Sequence, residues 1–473
     1  MFRASFRDFN ERNPNRIWRD SLIACLAAFV LFIITVAVDV GVFYGTLWLP
    51  RWFSVGGAND ARVLLSALLS SVSTVLALMF TVIMLVLSIA ATWFGPRLMS
   101  RFVRQSRIAS RIMGLFLASF VQCVLTMVAL RERTDLVWVP QLTILTTITL
   151  VVISFFSLVF LCHRIAEVIQ ISNVLTILIR DLRLVIRDRP ATAIIDPAAR
   201  RIEPATGRAP IPNDVIEAQS AVCERFGAPV HASRSGYLQE IEYVPLFVAT
   251  HRADAMVRLL FRPGQFVTKG SLLAYVHPAE RGLDLARTVD RRHVLGRQRT
   301  LKQDLEFGIA EIVEIALRAM SPAINDVYTC IGCVDWLGEA LLELALVHPS
   351  DGAWTTTSGT IRLLEPPLKY DRFVKAAFNQ IRQTATRNQA LTIRLFQTFA
   401  RMMSLLKHES QRQAVQAQVE ALWEMVSSVA MAGTDRRDIE AAYALACGGV
   451  SRPDNPSAAG AAVVPMSAGS APR

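Results

Sequence analysis

Residues 63–94 read VLLSALLSSVSTVLALMFTVIMLVLSIAATWF, a stretch without one charged side chain. A bilayer core of about 30 Å takes about 20 helical residues at about 1.5 Å each. The stretch therefore reads as a membrane-spanning helix of about 46 Å, long enough that it must tilt or project beyond the hydrocarbon. Gly95-Pro96 is expected to end it, because proline lacks the amide hydrogen that a helix interior needs. Ser66, Ser70, Ser73, Thr74, Thr81, Ser88 and Thr92, with Ala77 in the gap, recur at three and four residues and so trace one stripe. Two readings of that stripe stand side by side. Small residues let helix backbones approach and hydroxyls bond across a packed interface. In an oligomer, the same stripes can line a water-filled path in which hydroxyls replace hydration water.

Three further apolar runs reach spanning length, at about Leu22 to Tyr44, Ile112 to Leu130 and Val139 to Cys162. The first follows a basic N-terminus, but it is too long for the apolar region of a signal peptide and three more spans follow it. The expected architecture is an α-helical multi-pass membrane protein of four spans. Arginines set its direction. Arg3, Arg7, Arg12, Arg16 and Arg19 precede the first span, Arg97, Arg101, Arg104, Arg107 and Arg111 separate the second from the third, and Arg164, Arg180, Arg183, Arg187 and Arg189 follow the fourth. The other two loops hold only Arg51 and Arg62, then Arg131 and Arg133 beside Glu132 and Asp135. By the positive-inside rule both termini are expected to be cytoplasmic. Trp48, Trp52 and Trp138 then form an aromatic belt at the outer interface. Asp39 falls near the outer end of the first span, where an interfacial, solvated acid is expected.

Composition agrees with a membrane part plus soluble parts in a chain of 473 residues. Mean hydropathy is +0.37, high for a wholly soluble protein. The formal charge of +11 points to the anionic membrane surface and not to nucleic acid, because the arginines crowd the ends of apolar runs. Seven cysteines, three of them inside apolar runs, make no disulfide framework.

The expected domains are a basic N-terminus at 1–20, the four-helix membrane part at 21–164, a helix and linker at 165–228, a small β domain at 229–280, a helical domain at 281–447, and a disordered tail at 448–473. After Cys162 an apolar face of Ile165, Ile169, Leu175, Leu178, Ile179, Leu182 and Ile186 continues among arginines whose basic side can lie on anionic headgroups. From about Pro229 the period changes to two. Tyr237, Leu238, Ile241, Tyr243, Leu246, Val248, Val257, Leu259 and Phe261 predict short strands, with turns at Ser235-Gly236, Pro263-Gly264 and Lys269-Gly270. The run from Arg262 to Leu273 resembles the half-motif of biotinyl and lipoyl barrel-sandwich domains. No Met-Lys-Met is present, so the resemblance implies a binding or sensing module and no swinging arm. Helical patterning resumes from about Arg299, breaks at Ser321-Pro322, and restarts around Asn325-Asp326, with later helices near Tyr370 to Leu406 and Ser410 to Met431.

Phe94-Gly95-Pro96-Arg97-Leu98, Ser235-Gly236-Tyr237-Leu238, Gln303-Asp304-Leu305-Glu306-Phe307-Gly308 and Ser321-Pro322-Ala323-Ile324-Asn325-Asp326 together resemble the bacterial membrane-protein family called domain of unknown function 2254. The resemblance implies a topology and an inner-membrane address but brings no activity with it. Physically, the last motif reads as a helix break followed by an N-cap. Its functional alternative joins Asp304, Glu306, Ser321, Asn325 and Asp326 into one polar cluster at a ligand pocket or subunit interface. No histidine or serine stands at a telling distance from these carboxylates, so no catalytic residue, and no enzyme, is expected. Cys330-Ile-Gly-Cys333 lacks the second ligand pair of a zinc site and lies inside a helix, which favours packing over metal or redox chemistry. His163 reads as a snorkelling side chain at the inner end of the fourth span. No metal and no cofactor are expected.

The functional expectation is a homo-oligomeric channel or transport-type protein in the lipid bilayer with a cytoplasmic sensing region. The alternative is a scaffold or regulator that docks cytoplasmic partners without transporting anything.

Overall fold

The computed structural model describes residues 16–44, 57–105, 107–130, 132–133, 136–169, 171–187, 193–196, 201–204, 211–346, 352–429 and 432–448. Trp48, Trp52, Arg3, Arg7, Arg12, Arg51, Arg131, Arg189 and the tail from Gly449 lie outside the described residues, as does the side chain of Thr92. The chain divides into two compact units, residues 1–174 and 175–473.

The first unit is built from α1 (Arg16–Phe43), α2 (Ala58–Gln105), α3 (Arg107–Ala129), the short hairpin β1 (Glu132–Arg133) and β2 (Leu136–Val137), and α4 (Gln141–Ile169). All four helices carry segments long and apolar enough to cross a membrane: Arg19–Phe43, Ala58–Ile89, Ser110–Ala129 and Gln141–His163. Helix α2 does not stop at Gly95-Pro96. It runs through to Gln105 over 48 residues. Pro96 removes one intrahelical hydrogen bond, which a long helix carries by propagation from the turns on either side.

The bundle packs through Val72, Met79, Ile112, Phe116, Cys123, Val151 and Leu161. A second cluster joins Ala61, Leu65, Leu130 and Ile144. Gly114 brings α3 against α1, because a Cβ there would stand 3.3 Å from the Ala24 Cβ and the Ser21 Cα. Hydroxyl pairs tie α3 to α4, with Thr126 Oγ1 to Thr147 Oγ1 at 2.9 Å and Ser119 Oγ to Ser154 Oγ at 2.6 Å.

The second unit opens with most of α5 (Ile171–Arg187), then β3 (Ala193–Asp196), β4 (Arg201–Pro204), α6 (Asn213–Phe226), β5 (Ala228–His231) and β6 (Gly236–Ile241). Next come α7 (Tyr243–Arg252), β7 (Met256–Leu259), β8 (Phe266–Val267), β9 (Leu272–His277), α8 (Gly282–Arg292) and β10 (His293–Gly296). Helices α9 (Leu305–Ala319) and α10 (Val327–Leu346) precede the hairpin β11 (Ala353–Thr356) and β12 (Ile361–Leu364). Helices α11 (Tyr370–Ala385), α12 (Gln389–Leu405), α13 (Glu409–Ser427) and α14 (Gly433–Gly448) end the described chain.

The expected barrel-sandwich is not formed. Strands β5, β7 and β9 instead join an open seven-stranded mixed sheet of order β4-β3-β11-β12-β7-β9-β5, while β10-β6-β8 make a second, three-stranded sheet. Parallel pairing of β3 with β11 and of β12 with β7 brings in strands from well outside the period-two segment. Residues 243–252 are helical rather than extended, and they bury the consecutive Leu246, Phe247 and Val248. A short run of that kind satisfies either structure, and the core between the sheets, with Leu238, Val257, Leu273 and Val289, accepts it as a helix.

Helix α5 turns its apolar face into this unit, where Leu175, Leu178, Ile179, Leu182 and Ile186 are buried. Arg183 follows them inward, forming an ion pair with Glu343 at 2.8 Å and lying over the Trp336 ring, rather than keeping to the basic outer side. The run expected from Tyr370 to Leu406 divides at Asn388, whose side chain caps α12 by accepting from the Leu391 amide at 3.0 Å. Phe378 and Phe399 meet edge to face across α11 and α12.

Candidate functional site

The hydroxyl stripe of α2 does not pack within its own bundle. Ser66, Ser70, Ser73, Thr74, Thr81 and Ser88 are all exposed, while Ala61, Leu65, Val72 and Met79 on the opposite side of the helix are buried. Several of the hydroxyls bond their own helix: Ser66 donates to the Val63 carbonyl, Thr74 to Ser70 and Thr81 to Ala77. The stripe is thus a hydroxyl-bearing outer face, with those three donors satisfied within the helix.

Polarity also runs through the bundle interior. Asp39 is buried, not solvated: its carboxylate accepts from the Leu142 amide at 2.9 Å, the Thr143 amide at 2.9 Å and the Thr143 hydroxyl at 2.7 Å. It therefore caps the N-terminus of α4 from another helix, where the helix dipole favours a negative charge. Thr147 and Thr126, then Gln122, then Ser119 and Ser154 continue from it between α3 and α4. Gln122 is fully buried, and its side-chain amide has no partner among the described residues.

In the second unit, the residues of Gln-Asp-Leu-Glu-Phe-Gly hold a junction. Asp304 caps α9 by accepting from the Phe307 amide at 3.1 Å, and Arg299 grips it with two bonds of 2.7 and 2.9 Å. Burial raises the Asp304 carboxyl above the ordinary carboxylate range, against the opposing pull of Arg299 and the Phe307 amide. Gln303 pairs with the Ile241 backbone like a strand, accepting from its amide at 2.9 Å and donating to its carbonyl at 3.0 Å. Glu306 pairs with Arg372 at the start of α11.

Above them sits the turn Arg262-Pro263-Gly264-Gln265. Gly264 has φ +96°, and a Cβ there would collide with the Asp304 carboxylate. The Gln265 amide closes the turn onto the Arg262 carbonyl, and the Gln265 side chain accepts from the Arg262 amide at 2.7 Å. Arg262, Arg299, Gln303, Asp304, Glu306, Glu365 and Arg372 line a cleft of about 100 Å³. A larger cavity of about 320 Å³, also bordered by Arg262 and Arg372, adds Lys369, Asp371 and Lys375.

The proposed five-residue cluster is therefore split. Asp304 and Glu306 lie at one end of α9 and Ser321, Asn325 and Asp326 at the other, and 15 residues of helix span about 22 Å. The second group forms a helix corner. Asn325 adopts φ +50°, its amide donates to the Ser321 carbonyl, and Asp326 caps α10 through the Thr329 amide and hydroxyl. Cys330 and Cys333 are fully buried on α10, and burial pushes the Cys330 thiol up to about 12 and Cys333 further. Neither is a ready thiolate. The cations of the larger cavity went unread in the sequence, although Lys369, Arg372 and Lys375 recur at every third residue and so share one side of a helix.

Over residues 14–401 the chain matches the family described as predicted membrane protein, domain of unknown function 2254. It belongs to that family. Among its relatives are uncharacterised proteins of two Mycobacterium tuberculosis strains and of Mycobacterium bovis, each 27% identical over 419 residues, covering 86% of this chain and 76% of the relative. No solved structure matches the chain. Family membership and four apolar helices of spanning length together make this a membrane protein.

Proposed function

We propose that this member of the family is a homo-oligomeric channel-type protein of the bacterial inner membrane, with both termini cytoplasmic and the second unit serving as its sensing region. The observation that carries the reading is the direction of the hydroxyl stripe. A face of Ser66, Ser70, Ser73, Thr74, Thr81 and Ser88 turned away from the chain's own helices gains nothing from lipid tails, whereas between copies it provides either close packing or a wetted lining. The arginine clusters on the loops supply the orientation.

Ion flux from liposomes reconstituted with the full chain tests this. Flux above protein-free liposomes, lost on Ser73→Trp or Thr81→Trp, is the expected result. Absence of flux for a range of monovalent cations and anions, with protein of verified orientation, would leave the stripe as a packing surface of a scaffold.

A further inference from the structure

The cavity of about 320 Å³ beside the Gln-Asp-Leu-Glu-Phe-Gly junction is lined by Arg262, Lys369, Arg372 and Lys375, with Asp371 as the one acid among its described lining residues. Lys375 pairs with Asp371 at 3.1 Å and Arg372 with Glu306. Even so, the lining carries four positive charges against one negative. Like charges gathered on one concave surface repel, and the cost falls when an anion enters.

Lys369 is the N-cap of α11, where no side chain caps the helix, and Arg372 and Lys375 follow within its first two turns. A helix start favours acids and disfavours cations, so Lys369 and Arg372 oppose the dipole of the helix that carries them, while Lys375 lies past the first turn and pairs with Asp371. Arg262 reaches the same cavity from a turn fixed by the positive φ of Gly264 and by the Gln265 side chain. The backbone at Arg262 is thus set before any ligand arrives. The cavity volume lies at the lower end of the range for small-molecule sites.

We propose that this cavity binds a small phosphate-bearing anion. Lysine ammonium groups and the planar arginine forks supply charge-assisted hydrogen bonds to phosphoryl oxygens. Glu306 competes with the anion for Arg372, which couples occupancy of the cavity to the first turn of α9. The ligand is the phosphoryl group, whether on a free metabolite or on a lipid head. The site gives the sensing region of the channel reading its ligand and rests on that reading only for its role, because its test reads binding and not flux.

Titration calorimetry of the detergent-solubilised full chain with inorganic pyrophosphate, at ionic strength held constant with chloride, tests the proposal. Saturable binding is expected. It should weaken at least tenfold in Lys369→Ala/Lys375→Ala and in Lys375→Glu, each retaining a cooperative circular dichroism melting transition, and strengthen in Glu306→Gln. The same titration in nanodiscs separates the sources. Pyrophosphate binding retained in phosphatidylcholine but displaced in phosphatidylglycerol assigns the site to a lipid headgroup, and binding retained in both assigns it to a soluble phosphate. No saturable heat, or equal affinity in the folded lysine variants, would overturn the proposal.

Discussion

Asp39 shows what one buried carboxylate does in a membrane bundle. It satisfies two amides at the start of α4 that lipid could not, and it does so across 103 and 104 residues of sequence. Asp39→Ala is predicted to lower stability by about 2 kcal/mol, the cost of orphaned buried donors together with a lost cap. Asp39→Asn, which keeps one accepting oxygen, should lose about half of that, and thermal melting in detergent checks both. The sequence alone suggested a solvated acid at Asp39 and could not supply its partner, because capping usually acts within one turn and here it acts between helices. His293 makes a second residue-scale case. Burial holds its imidazole pKa below the ordinary value, with the hydrogen bond to the Val289 carbonyl and the Asp290 charge pulling the other way. The unfolded chain binds this proton at about pH 6.5 and the folded chain does not, so stability falls as pH drops below about 6.5 and is unaffected above it. His293→Gln should flatten that part of the pH profile of the melting temperature.

At the scale of elements, a residue pattern fixes a face more readily than it fixes what the face meets. Spacing placed the hydroxyls of α2 on one side, and the structure keeps them there; only the neighbouring helices show that this side points away from the bundle. Breaker residues and short alternation each misled once. Gly95-Pro96 does not end α2, since a 48-residue helix absorbs one missing bond. Tyr243 to Val248 looked extended and coils into α7, because alternation over so few residues cannot separate strand from buried helix. The turn at Pro263-Gly264, in contrast, was legible from its composition and carries a sharper demand than a turn alone. Gly264→Ala must place a Cβ at positive φ against Asp304. A loss of about 2 to 4 kcal/mol is predicted, and denaturant unfolding followed at the tryptophans measures it.

For the whole molecule, four apolar runs and their approximate limits were legible, because a spanning helix needs a length and hydropathy that little else imitates. The architecture of the second unit was not. Its large sheet pairs 193–195 with 354–356 and 363–364 with 257–258, contacts made by short strands whose alternation carries no record of their partners. The same limit applies to the cavity at Lys369, assembled from a turn and a helix over a hundred residues apart. The channel reading rests on neither, but on the environment of one helix face between copies of the chain. Labelling by a membrane-impermeant thiol reagent of Ser73→Cys and Thr81→Cys, in a background lacking Cys25 and Cys162, tests it in reconstituted liposomes. A wetted face between copies gives modification of both positions at rates well above that of a cysteine placed at Val72 on the buried face; protection of Ser73→Cys and Thr81→Cys equal to that of Val72→Cys would rule such a face out.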